Sequence, residues 1–131
     1  MKIIIGLLLM TTLIVSTGCA KGGDDAVAGE VVPGIPAKNT VTLVDLGAKT
    51  CIPCKLMAPI LEELQGEYKG RAEIIFIDVW DEANKEKARA FKIMAIPTQI
   101  LFDKTGKEVF RHTGFLDKDS LVTKLEELLA R

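Results

Sequence analysis

Cys51-Ile52-Pro53-Cys54 is where residue type and spacing first imply chemistry in this chain. Two residues between cysteines at the start of a helix let the sulfurs approach bonding distance. The unpaired N–H groups and the dipole of that helix end then stabilise a thiolate on the first of them. The same spacing supplies half of a tetrahedral zinc site. With three Cys and one His in the sequence, there is no second Cys pair or His pair to complete one, so redox exchange is favoured by elimination and no metal is expected. A carrier that holds Cu(I) between the two sulfurs is the alternative from another class.

The elements that must hold this pair follow from hydrophobic period. Residues 41–46 are an apolar, β-branched run broken by one acid, Asp45, and closed by Gly47, which predicts a buried strand. Over 54–68, Leu56, Met57, Ile60, Leu61, Leu64 and Tyr68 recur at helical spacing, with Pro59 predicted to kink the helix. Residues 74–79 predict a strand covered on both faces. Asp81 is suited to cap a helix over 82–91 with Ala83, Ala88 and Phe91 facing inward, its charged residues forming a solvated face. After the loop Ile96-Pro97-Thr98, residues 99–102 and 107–112 predict a β-hairpin around Asp103-Lys104-Thr105-Gly106. Asp117 then caps a last helix with Leu121, Val122, Leu125, Leu128 and Leu129 on one face. The order is β-α-β-α-β-β-α. Its strand-helix-strand opening requires a parallel pair with a right-handed crossover, hence an α/β sheet with helices on both faces.

The 131 residues allow one folded domain. Charges nearly cancel, 17 basic against 18 acidic, so nothing draws the chain to nucleic acid. Lys2, the apolar run 3–15 and the small residues Ser16, Thr17 and Gly18 have the order of an export signal over 1–18. The run is shorter than the roughly 20 residues that cross a bilayer. Ser16-Thr17-Gly18-Cys19 resembles the lipobox of bacterial lipoproteins, which implies that Cys19 carries lipid and fixes the chain to the bilayer. Residues 19–39, rich in Gly and holding Pro33 and Pro36, then predict a flexible tether, with at most a short edge strand at Val31 and Val32, ahead of a folded domain over 40–131.

The segment from Val44 through Cys51-Ile52-Pro53-Cys54 to Pro59-Ile60 resembles the active-site strand and helix of thioredoxins. Ala95-Ile96-Pro97-Thr98-Gln99 is similar to that family's cis-Pro loop, and Gly114 to the glycine after its final strand. The resemblance implies a thioredoxin-like fold reduced to a near-minimal core, with a central mixed sheet flanked by helices. It departs from the family at Thr50, where a Trp is usual, at Ile52, where Gly is usual, and at Ile74, which is read as the position of a Lys beside the family's buried acid.

On this resemblance Cys51 attacks a substrate disulfide as thiolate, and Cys54, one turn deeper, resolves the mixed disulfide. Asp45 falls on the buried acid, whose pKa burial raises toward neutrality, suiting it to accept the Cys54 proton. Ile52, Pro53, Ile96, Pro97 and Thr98 are expected to bind substrate, with the backbone beside a cis Pro97 pairing with an extended strand; Met94 is read as packing or as lining the same groove. His112 is expected to face solvent. Trp80 is expected to pack in the core or at its rim, or to fill space near Gly47 and Thr50. The resulting expectation is a monomeric, lipid-anchored thiol-disulfide oxidoreductase on the extracytoplasmic side of a bacterial envelope, without organic or metal cofactor. It would reduce disulfide-containing envelope proteins and draw electrons from a membrane relay. The opposite direction, a disulfide-introducing oxidase or isomerase, is the enzymatic alternative. Ile52 and Pro53 add neither charge nor side-chain donor to stabilise a thiolate, which favours the reductant.

Overall fold

The computed structural model of the chain describes residues 32–131. The expected signal over 1–18 and the lipid site Cys19 lie outside the described residues. Four strands and three helices follow the expected order: β1 (Val41–Gly47), α1 (Ile52–Glu67), β2 (Ala72–Asp78), α2 (Lys85–Ala90), β3 (Thr98–Phe102), β4 (Glu108–Thr113) and α3 (Lys118–Leu129). The sheet runs β2-β1-β3-β4, with β1 parallel to β2 and the other neighbours antiparallel.

β1 lies between two strands and is buried along its whole length, so its alternate residues serve two different cores. Val41 and Leu43 point to the face covered by α1 and α3, where Met57, Leu61, Leu64, Leu121 and Leu125 pack. Val44 and Leu46 point to the other face, with Ile77, Ile100, Phe102 and Phe91 at the end of α2. Helices on both faces are therefore confirmed.

Three expectations need correction. β2 is not covered on both faces: it is the outer strand of the sheet, and Phe76 on it is exposed. The helix expected over 82–91 divides into a 3-10 turn, Glu82–Asn84, and the short α2. Asp81 does cap it, accepting from the Ala83 N–H at 3.0 Å, but Asn84 turns its amide back to the Asp78 carbonyl at 3.1 Å and interrupts the helix, and Ala83 is left exposed. The third concerns the tether. Val32 is 5% exposed and sits in the α2-side core, Ile35 packs beside it, and the Ala37 N–H donates to Thr42 Oγ1 at 3.1 Å. The packed domain thus begins at least as early as Val32, and Val32 joins it as a core residue and not as a strand.

α1 begins at Ile52 with Cys51 as its N-cap, and Pro53 falls in the first turn, where its missing N–H costs nothing. The helix continues through Pro59, whose ring is on the exposed side. At the other end of the chain Asp117 caps α3 as expected, accepting from the Ser120 N–H at 2.9 Å. Lys118 clasps α3 to α1 through Glu63 and Glu67, at 2.7 and 2.6 Å.

Candidate active site

Cys51 and Cys54 are joined as a disulfide across the first turn of α1, with Cα atoms 5.2 Å apart. Cys51 is half-buried at the helix end, whereas Cys54 is buried. Only the outer sulfur is therefore open to a partner disulfide, as the expected roles require. Beneath them β1 ends in Gly47, and the lack of a side chain there is a packing requirement. A Cβ at that position would lie 3.2 Å from Cys54 Sγ and 3.1 Å from the Phe76 ring.

Asp45 is two residues back along β1, on the same face as Gly47, and therefore about 7 Å along the strand from the residue under Cys54. It is 0% exposed. Burial raises its pKa from 3.8 to about 6, while a hydrogen bond from Gln99 opposes that rise. The predicted direction was right. The neighbours differ from expectation: strand register sets Phe76, not Ile74, opposite Asp45 on β2. The other flank is Gln99 of β3, fully buried, whose Nε2 donates to Asp45 Oδ1 at 2.8 Å. His112 of β4 stands opposite Gln99. It is half-buried, with Nε2 at 3.2 Å from the exposed Phe115 carbonyl, so it faces solvent only in part. A single row across the sheet, Phe76, Asp45, Gln99 and His112, thus shares the face that α1 covers.

Gln99 was missed by the sequence reading. The signal was present, since a Gln in the apolar run 99–102 is as anomalous as an Asp in 41–46, but only the antiparallel register shows that the two anomalies face each other.

A groove of about 410 Å³ runs beside α1 from Cys54 past Ala58 and Leu61 to Phe76, giving small molecules such as water a way to the inner sulfur. On the outer side, Ile96-Pro97 is a cis peptide, as the resemblance implied. Its loop is tied to the turn after β4 by Gly114 N–H donating to the Pro97 carbonyl at 2.8 Å. Ile52 is 76% exposed and Met94 97% exposed, and Pro53 and Phe115 are exposed as well, so the head of α1 and the cis-Pro loop both carry an exposed apolar rim. Thr98, expected to touch substrate, is buried with its hydroxyl donating to the Ala95 carbonyl at 2.7 Å; it latches the loop instead. Trp80, at 62% exposed, neither packs in the core nor fills the space by Gly47. Among the described residues no three His, Cys, Asp or Glu side chains gather into a metal site.

The thioredoxin family model matches residues 32–127. The chain belongs to the thioredoxin family. The start of that match at Val32 agrees with the packing of Val32 into the domain. Thioredoxin of Staphylococcus saprophyticus is 45% identical over 92 residues, covering 70% of this chain and 86% of the relative. Thioredoxin of Staphylococcus aureus is 43% identical over the same shares. Among solved structures, chloroplastic thioredoxin z superposes with a TM-score of 0.65 at 28% identity, covering 75% of this chain and 86% of its own. Fasciola hepatica thioredoxin gives 0.60 at 31% identity, covering 70% and 83%. A thioredoxin-family chain with Cys51 and Cys54 paired at the head of α1 is a thiol-disulfide oxidoreductase.

Proposed function

We propose that this protein reduces protein disulfides on the extracytoplasmic side of a bacterial envelope, held to the membrane through lipid on Cys19 and resupplied with electrons by a membrane relay. It acts as a monomer and needs no cofactor beyond its own sulfur pair. The observation that carries the chemistry is the stacking of half-open Cys51 over buried Cys54 at the end of β1, with Asp45 one same-face step behind.

The Cys51 thiolate attacks one sulfur of a substrate disulfide; the new Cys51–substrate bond forms as the substrate's own S–S bond breaks, releasing the first substrate thiolate. The Cys54 thiol gives its proton to the Asp45 carboxylate, through water admitted by the groove. Its sulfur then attacks Cys51 Sγ, and the second substrate sulfur leaves as a thiolate with its electron pair. The protein is left as the Cys51–Cys54 disulfide and the substrate as a dithiol. The apolar rim of Ile52, Pro53, Ile96 and Phe115 shields the mixed disulfide from water, and the backbone at Ile96, which no described residue pairs with, is free to bind an extended substrate segment.

The reducing direction is supported by the turn itself. Ile52 and Pro53 contribute no charge, the Cys51 cap carries no side-chain hydrogen bond, and Lys49 and Lys55 are exposed. A thiolate held only by the helix end leaves the disulfide relatively favoured. Equilibration with glutathione tests this: the midpoint should lie nearer about −270 mV than about −120 mV, and one more positive than about −180 mV overturns the reductant in favour of an oxidase or isomerase. The membrane location is supported by the export-like order of residues 1–18 and the lipobox-like Ser16-Thr17-Gly18-Cys19. The chain should be found with membranes, its N-terminal mass carrying lipid; an unlipidated chain in the soluble fraction rejects the anchor.

A further inference from the structure

The Asp45–Gln99 pair is incompletely bonded in an unusual way. Gln99 Nε2 donates to Asp45 Oδ1, yet Asp45 Oδ2 and Gln99 Oε1, both buried, have no partner among the described residues. An unsatisfied buried polar atom costs stability, and two on adjacent cross-strand residues call for an explanation. Both orphans are acceptors, so neither can satisfy the other while Asp45 is a carboxylate. One proton on Oδ2 changes that: a carboxylic acid and a primary amide side by side form two bonds at once, N–H to one oxygen and O–H to the amide oxygen.

We infer that Gln99 is a positioning residue for the proton step, with Nε2 holding Oδ1 in both states of Asp45 and Oε1 receiving the hydrogen bond of the proton that arrives on Oδ2. The inference rests on the assignment of Asp45 as proton acceptor for Cys54. Gln99 fixes the plane of the carboxyl against β3, so Oδ2 is the oxygen left to take the proton, and the amide steadies the acid until the proton departs. Among the described residues no charged side chain does this work. Opposite Asp45 are Phe76 from β2 and Gln99 from β3, and Cys54 and Met57 of α1 are buried against the same face of β1. Asp78, at the end of β2, holds the Trp80 N–H with Oδ1 at 3.1 Å. Lys49, Lys55 and Glu62 around the groove are exposed. His112, beyond Gln99, is the one other titratable side chain on the row.

The test is the titration of the Asp45 carboxyl by ¹³C NMR in the reduced protein, alongside the pH profile of thiol release from a preformed Cys51 mixed disulfide. Gln99→Met keeps the length of the side chain and removes both hydrogen-bonding atoms. The carboxylate then loses its one bond while staying buried, so the Asp45 midpoint should rise by about one pH unit and the release profile should move with it. A Gln99→Met protein that is less stable but titrates at the wild-type pH reduces Gln99 to a packing residue and overturns the inference. Gln99→Glu, also isosteric, covers the case in which Gln99→Met does not fold: two carboxyls must then share a proton, the midpoint should rise further, and an unmoved midpoint overturns the inference again. His112→Asn should leave the midpoint in place, and a shift as large as that of Gln99→Met would transfer the role to His112. Because the NMR midpoint needs no turnover, it separates failure of this inference from failure of the proposed reduction, which shows instead as wild-type release kinetics in Asp45→Asn or as no reduction of insulin.

Discussion

The two faces of one sheet are built to different standards. Toward α2 the core is apolar but for two hydroxyls tied to backbone carbonyls: Val32, Val44, Leu46, Ile77, Phe91, Ile100 and Phe102 form it, with buried Thr42 and Thr98 on the same face. Toward α1 and α3 the same strands also supply an apolar core, but at the active-site end they place an acid, an amide and an imidazole in one row across the sheet. Because side chains alternate along a strand, Asp45 belongs to the second face while Val44 and Leu46 on either side belong to the first. Chemistry was loaded onto one face, and the other was left free to hold the sheet together.

That division can be broken most completely at the thiols. Cys51→Ser should reduce turnover to background, and Cys54→Ser should accumulate mixed disulfides at Cys51, visible as adducts on non-reducing gels; both proteins should fold. On the α2 face the reverse holds. Phe91→Ala should cost about 3–5 kcal/mol in urea unfolding, with the per-molecule reduction rate of the folded fraction unchanged.

Asp45→Asn should change both properties in opposite directions. The folded chain holds the Asp45 proton up to about pH 6, the unfolded chain only to about its ordinary 3.8. Between those values the native state carries the extra proton, so the contribution of Asp45 to stability is greatest below about pH 4, declines as pH rises to 6 and then levels off. Two pH units correspond to ~3 kcal/mol at most. The amide introduced by Asp45→Asn would keep the bond from Gln99 Nε2 and offer its own N–H to the orphan Oε1. The variant should therefore be the more stable above pH 6 by up to ~3 kcal/mol, lack the decline between pH 4 and 6, and resolve mixed disulfides more slowly. A pH-stability curve identical to wild type would place Asp45 outside the buried titration.

Val32→Ala is the mildest probe. Two lost methyl groups in the α2-side core should cost about 1.5 kcal/mol, and thermal unfolding should show it, whereas a true tether residue would show nothing.

Much of this arrangement was legible. The cysteine pair, Asp45 and the caps Asp81 and Asp117 are local in sequence, because each depends on a few neighbouring residues, while the cis-Pro loop came only with the resemblance to thioredoxins. What escaped depended on pairing across the sheet. Without the order β2-β1-β3-β4, residues 74–79 look like an inner strand, although their outer position leaves Phe76 exposed. Without register, Ile74 is a plausible neighbour of Asp45 and Gln99 is just a residue after the loop. Val32 was misassigned for a related reason: a lone apolar residue amid Gly and Pro has no period, and only the finished surface of α2 and β2 gives it somewhere to go.

The methionines make one further consequence visible. Met94 stands 97% exposed at the rim, while Met57, one turn along α1 from Cys54, is fully buried with its sulfur accepting the Leu116 N–H at 3.4 Å. In a compartment that meets peroxide, Met94 is positioned to become sulfoxide long before Met57 does. Oxidative injury would then arrive first as a polar, chiral group at the mouth of the site, altering which substrates stay bound, while the core around Met57 remains chemically intact.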